Sequence, residues 1–419
     1  MISQKLVKKL KDVLRKMFSI ALKNNNSRTL SILLSLWVYT YALFYFVPLI
    51  IPSTTMLMYV WLIAIDILIV FNSRKLPIRL FGFLLAYIMI ALINVTVVSY
   101  KYYAAIDAFS GMVVFLPALL IISSGLFNLN DFLAIWKKFA YVATIISPIA
   151  IILMQNRTID YGVFTYLNLP NCIIFSYNIM TLSKGDKRKK VALIFDIANM
   201  LVILLFGGRM AAIAAAFSIF LAYMISSSVR PYKKVFIILL IGVAGIFVIN
   251  NLNMLLIQLQ VILNKYNLSS RSLSLLIEQM RTGGTGLYLT RRNIIYEEVT
   301  KYIVDRGGLP GGFGVSLNIS NGQFYHPHNL FLQLAVMFGV IGGVLFVLLI
   351  IYRMIRIKKL NLRYEYQFTL LILVEYLVIS FTGGSILNNF VAIIGIGMTF
   401  FYKGNQKNAT YNYVIMVNR

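Results

Sequence analysis

Two arginines and two histidines stand out in this chain as residues whose type and setting could do chemistry. Arg209 follows Gly207 and Gly208 where one apolar run ends and the next begins with Met210, Ala211 and Ala212. A guanidinium so near hydrocarbon is costly unless it reaches water or a partner, and its planar fork fits phosphate oxygens while keeping its charge. Read without chemistry, Arg209 snorkels, and Ala211, Ala212, Ala214, Ala215 and Ala216 let neighbouring helices approach closely. Arg292 stands one turn before Ile295 on a stripe that continues through Val299, Tyr302 and Ile303, the spacing of an amphipathic helix over Thr290 to Arg306. His326 and His328, the two histidines of the chain, lie in Tyr325-His326-Pro327-His328-Asn329, just before an apolar run. A neutral imidazole accepts a proton from a hydroxyl near neutral pH, the work of a general base; the plainer reading is a histidine capping a helix at a membrane interface.

The elements that must position these residues are membrane helices. Of 419 residues 60% are hydrophobic and 12% charged, and the mean hydropathy is +0.82, far from a soluble domain. A crossing helix needs about 20 apolar residues. About twelve runs offer this, near 30–51, 55–72, 80–98, 109–127, 139–155, 169–183, 191–208, 210–227, 235–251, 329–352, 366–382 and 388–402. They are too long and too continuously apolar for barrel strands. The expected fold is thus an all-α polytopic membrane protein with about twelve transmembrane helices and one large exterior loop containing amphipathic helices.

Charge sets the orientation. The chain has 39 Lys and Arg against 13 Asp and Glu, a formal charge of +26. In a soluble protein that excess points to nucleic acid, but here most cations lie in short tracts between apolar runs, where they fix topology and meet anionic headgroups. Membrane lipids are therefore expected partners and nucleic acid is not. Lys8, Lys9, Arg74, Lys75, Lys137, Lys138, Lys184, Lys187, Arg188, Lys189, Lys190, Arg230, Lys233, Arg353 and Arg356 all fall inside if the N-terminus is cytoplasmic. The short loops on the other side carry few cations beyond Lys101, Arg157 and Arg209. Both termini are then cytoplasmic. The division is 1–29, a basic cytoplasmic segment; 30–251, nine membrane helices; 252–328, an exterior catalytic loop; 329–402, three more helices; and 403–419, a cytoplasmic tail.

The exterior loop reads as ordered, with the Arg292 helix lying against the membrane and Gly307, Gly308, Gly311, Gly312 and Gly314 around Pro310 demanding an irregular backbone. A flexible surface loop is the alternative. Cys172 is the single cysteine, in an apolar run, so no intramolecular disulfide or thiolate cluster can form. Two histidines and scattered carboxylates make no evident metal site, and no metal or other cofactor is expected. The stretch from Lys5 to Lys23 lacks the apolar core and cleavage site of a signal peptide.

Together these pieces resemble the O-antigen ligase and polysaccharide polymerase family of bacterial envelopes. The resemblance rests on Gly208-Arg209 with the small residues after it, Arg292-Asn293-Ile294-Ile295-Tyr296, Pro310-Gly311-Gly312-Phe313-Gly314, and His328-Asn329 followed by Leu332, Gly339, Ile341 and Gly342. These occur in order from Leu201 to Leu349, while the N-terminal half matches in topology alone. The resemblance implies a multi-pass inner-membrane glycosyltransferase. Its donor is a polyprenyl-pyrophosphate-linked oligosaccharide, and transfer is inverting and metal-independent on the exterior face. Arg209 and Arg292 would stabilise the leaving pyrophosphate and His328 would serve the acceptor hydroxyl, with Arg291, His326, Asn329 and Tyr296 as substrate-binding candidates. Arg291 beside Arg292 and His326 beside His328 leave the assignment open, though the spacing to Tyr296 and Asn329 favours the second of each pair. The absence of an Asp-x-Asp triplet fits a lipid-pyrophosphate donor rather than a nucleotide sugar.

Two jobs remain within the family: a polymerase, working beside a flippase and a chain-length regulator, or a ligase that moves the glycan to another acceptor. The abundance of Ile, Lys, Asn and Tyr, a sign of an AT-rich genome, tips the balance to the polymerase. A glycolipid flippase or transporter is the rival from another class. It would use the intramembrane acids Asp66, Asp196 and Glu375, although no internal repeat is visible.

Overall fold

The computed structural model describes residues 26–46, 54–73, 78–153, 161–226, 229–282, 292–360, 362–381 and 389–402. The basic N-terminal segment before 26, the 403–419 tail, Arg157 and Arg291 lie outside the described residues. Among the described residues there are seventeen helices and no strand. The first ten are α1 (Asn26–Val38), α2 (Thr40–Phe46), α3 (Thr54–Ser73), α4 (Ile78–Val97), α5 (Lys101–Ser123), α6 (Leu129–Leu153), α7 (Tyr161–Thr181), α8 (Lys187–Phe206), α9 (Arg209–Ile225) and α10 (Pro231–Asn250). Then come α11 (Leu252–Lys265), α12 (Arg271–Thr282), α13 (Arg292–Asp305), α14 (Val315–Ile319), α15 (Leu330–Lys359), α16 (Arg363–Ser380) and α17 (Phe390–Phe400).

Among the described residues four segments are long and apolar enough to cross a membrane: Leu80–Val97, Lys101–Ser123, Leu129–Ile152 and Leu330–Lys359. Met56–Asn72, Arg209–Ile225 and Phe390–Phe400 are apolar but shorter. The protein is all-α and membrane-embedded; among the described residues, length and hydropathy together mark four of the expected twelve crossings. Several boundaries also differ from expectation. The run at 30–51 begins at Asn26 and turns at Tyr39, and the run at 109–127 belongs to a helix that starts at Lys101.

Helix α7 runs through the centre, packed against α2, α6, α8, α9 and α16. Around it Trp37, Phe115, Phe132, Trp136, Phe175, Phe368 and Phe390 form one buried aromatic and aliphatic core. Trp37 donates its indole N–H to Val114 O at 3.0 Å. That bond satisfies the one polar atom of a ring otherwise suited to an apolar interior. Helix α4 instead turns Phe81, Ile88, Leu92 and Val97 outward, the face of a helix whose solvent is lipid. Polar side chains inside the bundle bond to one another, as Asn171 does to Asn199 at 2.8 Å and Ser147 to Asn168 at 2.7 Å. Hydrocarbon supplies no partners, so such groups must find them between helices.

The glycine-rich stretch is ordered by an exchange of backbone bonds with α15. At Gly339 that helix leaves helical geometry, with φ 75° and ψ 162°. The carbonyls of Val336 and Met337 then accept from the N–H groups of Gly311 (2.8 Å) and Gly312 (3.0 Å), while Val340 N–H donates to Gly308 O at 3.0 Å. The other side of the loop is held by the membrane helices. Gly314 N–H donates to the buried Asp107 carboxylate of α5 at 2.8 Å, and Phe313 N–H to the Asn94 side-chain oxygen of α4 at 3.1 Å. Tyr100, just before α5, donates its hydroxyl to Gly311 O at 2.6 Å.

A Cβ at Gly314 would fall 2.3 Å from the backbone of Tyr103, and its φ of +69° disfavours any L side chain. Gly314→Ala should therefore lower the unfolding temperature of the purified protein or prevent its accumulation, by backbone strain of about 1–3 kcal/mol plus the collision. Gly82, with nothing within 4 Å of an added Cβ, is the control. Equal thermal stability of Gly314→Ala and Gly82→Ala would contradict this docking.

Candidate active site

The Arg209 corner is built from backbone. Gly207 closes α8 with its N–H on Ile203 O at 2.7 Å, and an added Cβ there would meet that same carbonyl at 2.8 Å. Gly208 caps α9 in extended geometry and donates its N–H to Thr165 Oγ1 of α7 at 2.8 Å. Serines flanking the start of α12 strap the corner: Ser272 donates to Gly207 O at 2.7 Å, and Ser270 donates to Leu205 O. Arg209 becomes the first residue of α9 and donates to Gln279 Oε1 of α12 at 2.7 Å. The buried Ala211, Ala212, Ala214 and Ala215 give α9 its close fit to its neighbours.

The second arginine opens α13. Ile295 and Val299 are fully buried, as their spacing predicts, and they pack with Ala104, Ala108, Phe313, Val315, Val336 and Met337. The stripe thus docks on protein. Docked this way, α13 sets Arg292 so that its charge bears on His326 and His328. Tyr296 donates its hydroxyl to His328 O at 3.2 Å. The imidazole rings lie 4.4 Å apart, centroid to centroid. Pro327 between them is buried, and His328 adopts a left-handed backbone with φ +54°. Asn329 then caps α15, accepting from Phe331 N–H (2.9 Å) and Leu332 N–H (3.1 Å), and its amide reaches Phe381 O at 3.5 Å at the end of α16.

Arg292, Tyr296, His326, His328 and Asn329 are thereby gathered in one place. Arg209 stands on a neighbouring helix group: α9 packs on α7, α8 and α16, whereas α13 packs on α14 and α15, and α15 meets α16. Two of the substrate-binding candidates also have structural work, Tyr296 on the His328 carbonyl and Asn329 on the helix cap. The sequence reading missed Asp107, Asn94 and Tyr100, which hold the loop, and Gln279, which holds Arg209. Asp107 carried a signal, an acid close to an apolar run; Gln279 carried none.

Burial, the neighbouring His328 and the Arg292 charge push His326 down to about 3, and burial with Arg292 pushes His328 down to about 4. Both ring nitrogens of His326 are enclosed without a hydrogen-bond partner among the described residues. Both rings are therefore neutral at physiological pH and able to accept a proton. Among the described residues no group of three or more His, Cys, Asp or Glu side chains is arranged to hold a metal ion.

The shifts set a sign. Each folded-state value lies below the ordinary 6.5, so both rings stay neutral as pH falls through the range where an exposed histidine charges. Their contribution to stability is complete above that value and is lost as pH falls toward 4 and 3. Because the chain has two histidines, histidine-labelled protein gives two imidazole signals by nuclear magnetic resonance. Both should remain neutral at pH 5.5; a midpoint near 6.5 for either would refute its enclosure.

No protein-family profile matches this sequence, and no curated protein is similar to it.

Proposed function

We propose that this chain is a bacterial inner-membrane polymerase that joins polyprenyl-pyrophosphate-linked oligosaccharide repeat units into a surface polysaccharide. The carrying observation is the convergence of Arg292 with two neutral histidines beside the ordered glycine-rich loop. The acceptor hydroxyl oxygen attacks the anomeric carbon, the bond from that carbon to the pyrophosphate oxygen breaks, and polyprenyl pyrophosphate leaves with the electron pair. Arg292 and Arg209 stabilise the charge gathering on the leaving group, as preorganised cations do in a site shielded from water. His328 takes the hydroxyl proton. A ring held down to about 4 is a weak base, but the donor's negative charge beside Arg292 raises its proton affinity when it is needed. Attack from the face opposite the leaving group inverts the anomeric centre.

The full arrangement has about twelve crossings with both termini and the Lys184–Lys190 tract in the cytoplasm and the site outside. Labelling a cysteine introduced at Asn318 checks this: reagent that cannot cross the membrane should reach it from outside, and labelling from the cytoplasmic side alone would overturn the orientation. A ligase would use the same residues with a different acceptor. The transporter reading draws support from Asp196 and Glu375, fully buried with oxygens lacking partners among the described residues.

Purified protein supplied with a defined lipid-linked repeat, in EDTA and without any other acceptor, distinguishes these readings. Polymer should form in the chelator. Arg209→Ala and Arg292→Ala should abolish it, Arg292→Lys should rescue poorly for want of the bidentate fork, and His328→Ala should slow it by about 10²–10⁴ while donor binding persists. His326→Ala should be milder. Normal polymer from both arginine variants would dismiss the leaving-group role, a need for added magnesium would dismiss metal independence, and glycolipid movement without joining would favour the transporter.

A further inference from the structure

At the lysine-rich turns that begin α8 and α10, a pocket of about 400 Å³ is walled by five cations, Lys184, Lys189, Lys190, Arg230 and Lys233. Its one carboxylate, Asp186, is engaged by Arg188 at 2.7 Å and receives the Arg188 backbone N–H at 2.9 Å. The wall therefore faces its interior with an excess of positive charge. Lys189 is half-buried, donates to Ser226 Oγ at 2.8 Å, and has its proton affinity lowered by that burial. Tyr223 and Tyr232 add hydroxyls, while Ile179 and Leu193 add apolar wall.

What lies along the two helices decides the class of ligand. Helix α8 continues from the pocket into the exposed apolar residues Ile194, Ile197, Leu201 and Leu204, and α10 into Val235, Phe236 and Leu239. A cationic cup at the head of two lipid-facing helices matches a molecule with a phosphate at one end and acyl chains at the other. We propose that this pocket binds the headgroup of an anionic phospholipid, its phosphate among Lys190, Arg230 and Lys233 and its chains along α8 and α10. The site is separate from the Arg292 and histidine cluster, and the proposal holds whether or not the chain transfers glycans.

The full-length protein, purified in detergent and stripped of lipid, tests it by native mass spectrometry and thermal unfolding with added phosphatidylglycerol, phosphatidylcholine or inorganic phosphate. The wild type should retain phosphatidylglycerol and be stabilised by it more than by phosphatidylcholine, with inorganic phosphate giving little. Combined Lys190→Gln, Arg230→Gln and Lys233→Gln should weaken phosphatidylglycerol binding on the order of 10²-fold, from the usual contribution of each cation at an anionic surface. Arg356→Gln, Lys358→Gln and Lys359→Gln, three exposed cations at the end of α15, should leave it nearly unchanged. An equal loss in both triple variants would reduce the effect to general surface charge and overturn the proposal. So would equal stabilisation by the two lipids, or protection by inorganic phosphate alone. Should the first triple variant fail to fold, the wild-type ranking of the three additives still decides.

Discussion

The bond from Gly314 N–H to the Asp107 carboxylate is the contact on which the rest of the site depends. It joins a loop more than two hundred residues distant to a helix inside the membrane, beside the parallel bond from Phe313 to Asn94. A buried backbone N–H left without a partner costs about 1–3 kcal/mol, so the loop has one register in which both amides are satisfied. That register sets the loop against the break in α15 at Gly339. It also fixes the start of α14 and, through it, the approach of the histidine segment. The glycines are needed because both partners come close: a Cβ on Gly312 would overlap the Asn94 side chain, and one on Gly314 the backbone of Tyr103.

This dependence explains what could be read from the sequence. The stripe of α13 was legible because Ile295 and Val299 obey a helical period whatever they pack against, and both are buried. The corner at Gly207 and Gly208 was legible because paired glycines between apolar runs leave a tight turn as the simplest solution. The surface that receives α13 was not, since periodicity reveals that a face is buried but not by what. Asp107 was hidden by a boundary: a hydropathy run beginning at 109 leaves the acid in a loop, whereas α5 starts at Lys101 and carries it inside. Pairing between Asn94 and Phe313, or between Arg209 and Gln279, depends on tertiary geometry that no local pattern encodes.

The two histidines have different surroundings despite their closeness. His326 has both ring nitrogens enclosed without a partner among the described residues, an uncommon condition for a buried polar group. Its burial and its neighbour keep it neutral, so its ring adds bulk beside His328 without adding charge. Among the described residues Arg292 supplies the positive charge of this cluster, and it acts on both rings. A cation facing two neutral bases is suited to an anionic ligand carrying a protonated nucleophile alongside, since the anion satisfies the arginine and the hydroxyl finds an acceptor.

The backbone at His328 carries the same argument a step further. A bulky residue at φ +54° costs about 1–3 kcal/mol and persists where its surroundings over-determine it. Here the surroundings are visible: Tyr296 holds the His328 carbonyl, Asn329 caps α15 directly after it, and Pro327 restricts the residue before. A relaxed backbone at this position would swing the imidazole away from His326 and from the field of Arg292. The strain is thus borne by contacts that converge on a single orientation of the ring, which is what the proton-accepting role proposed for His328 would require.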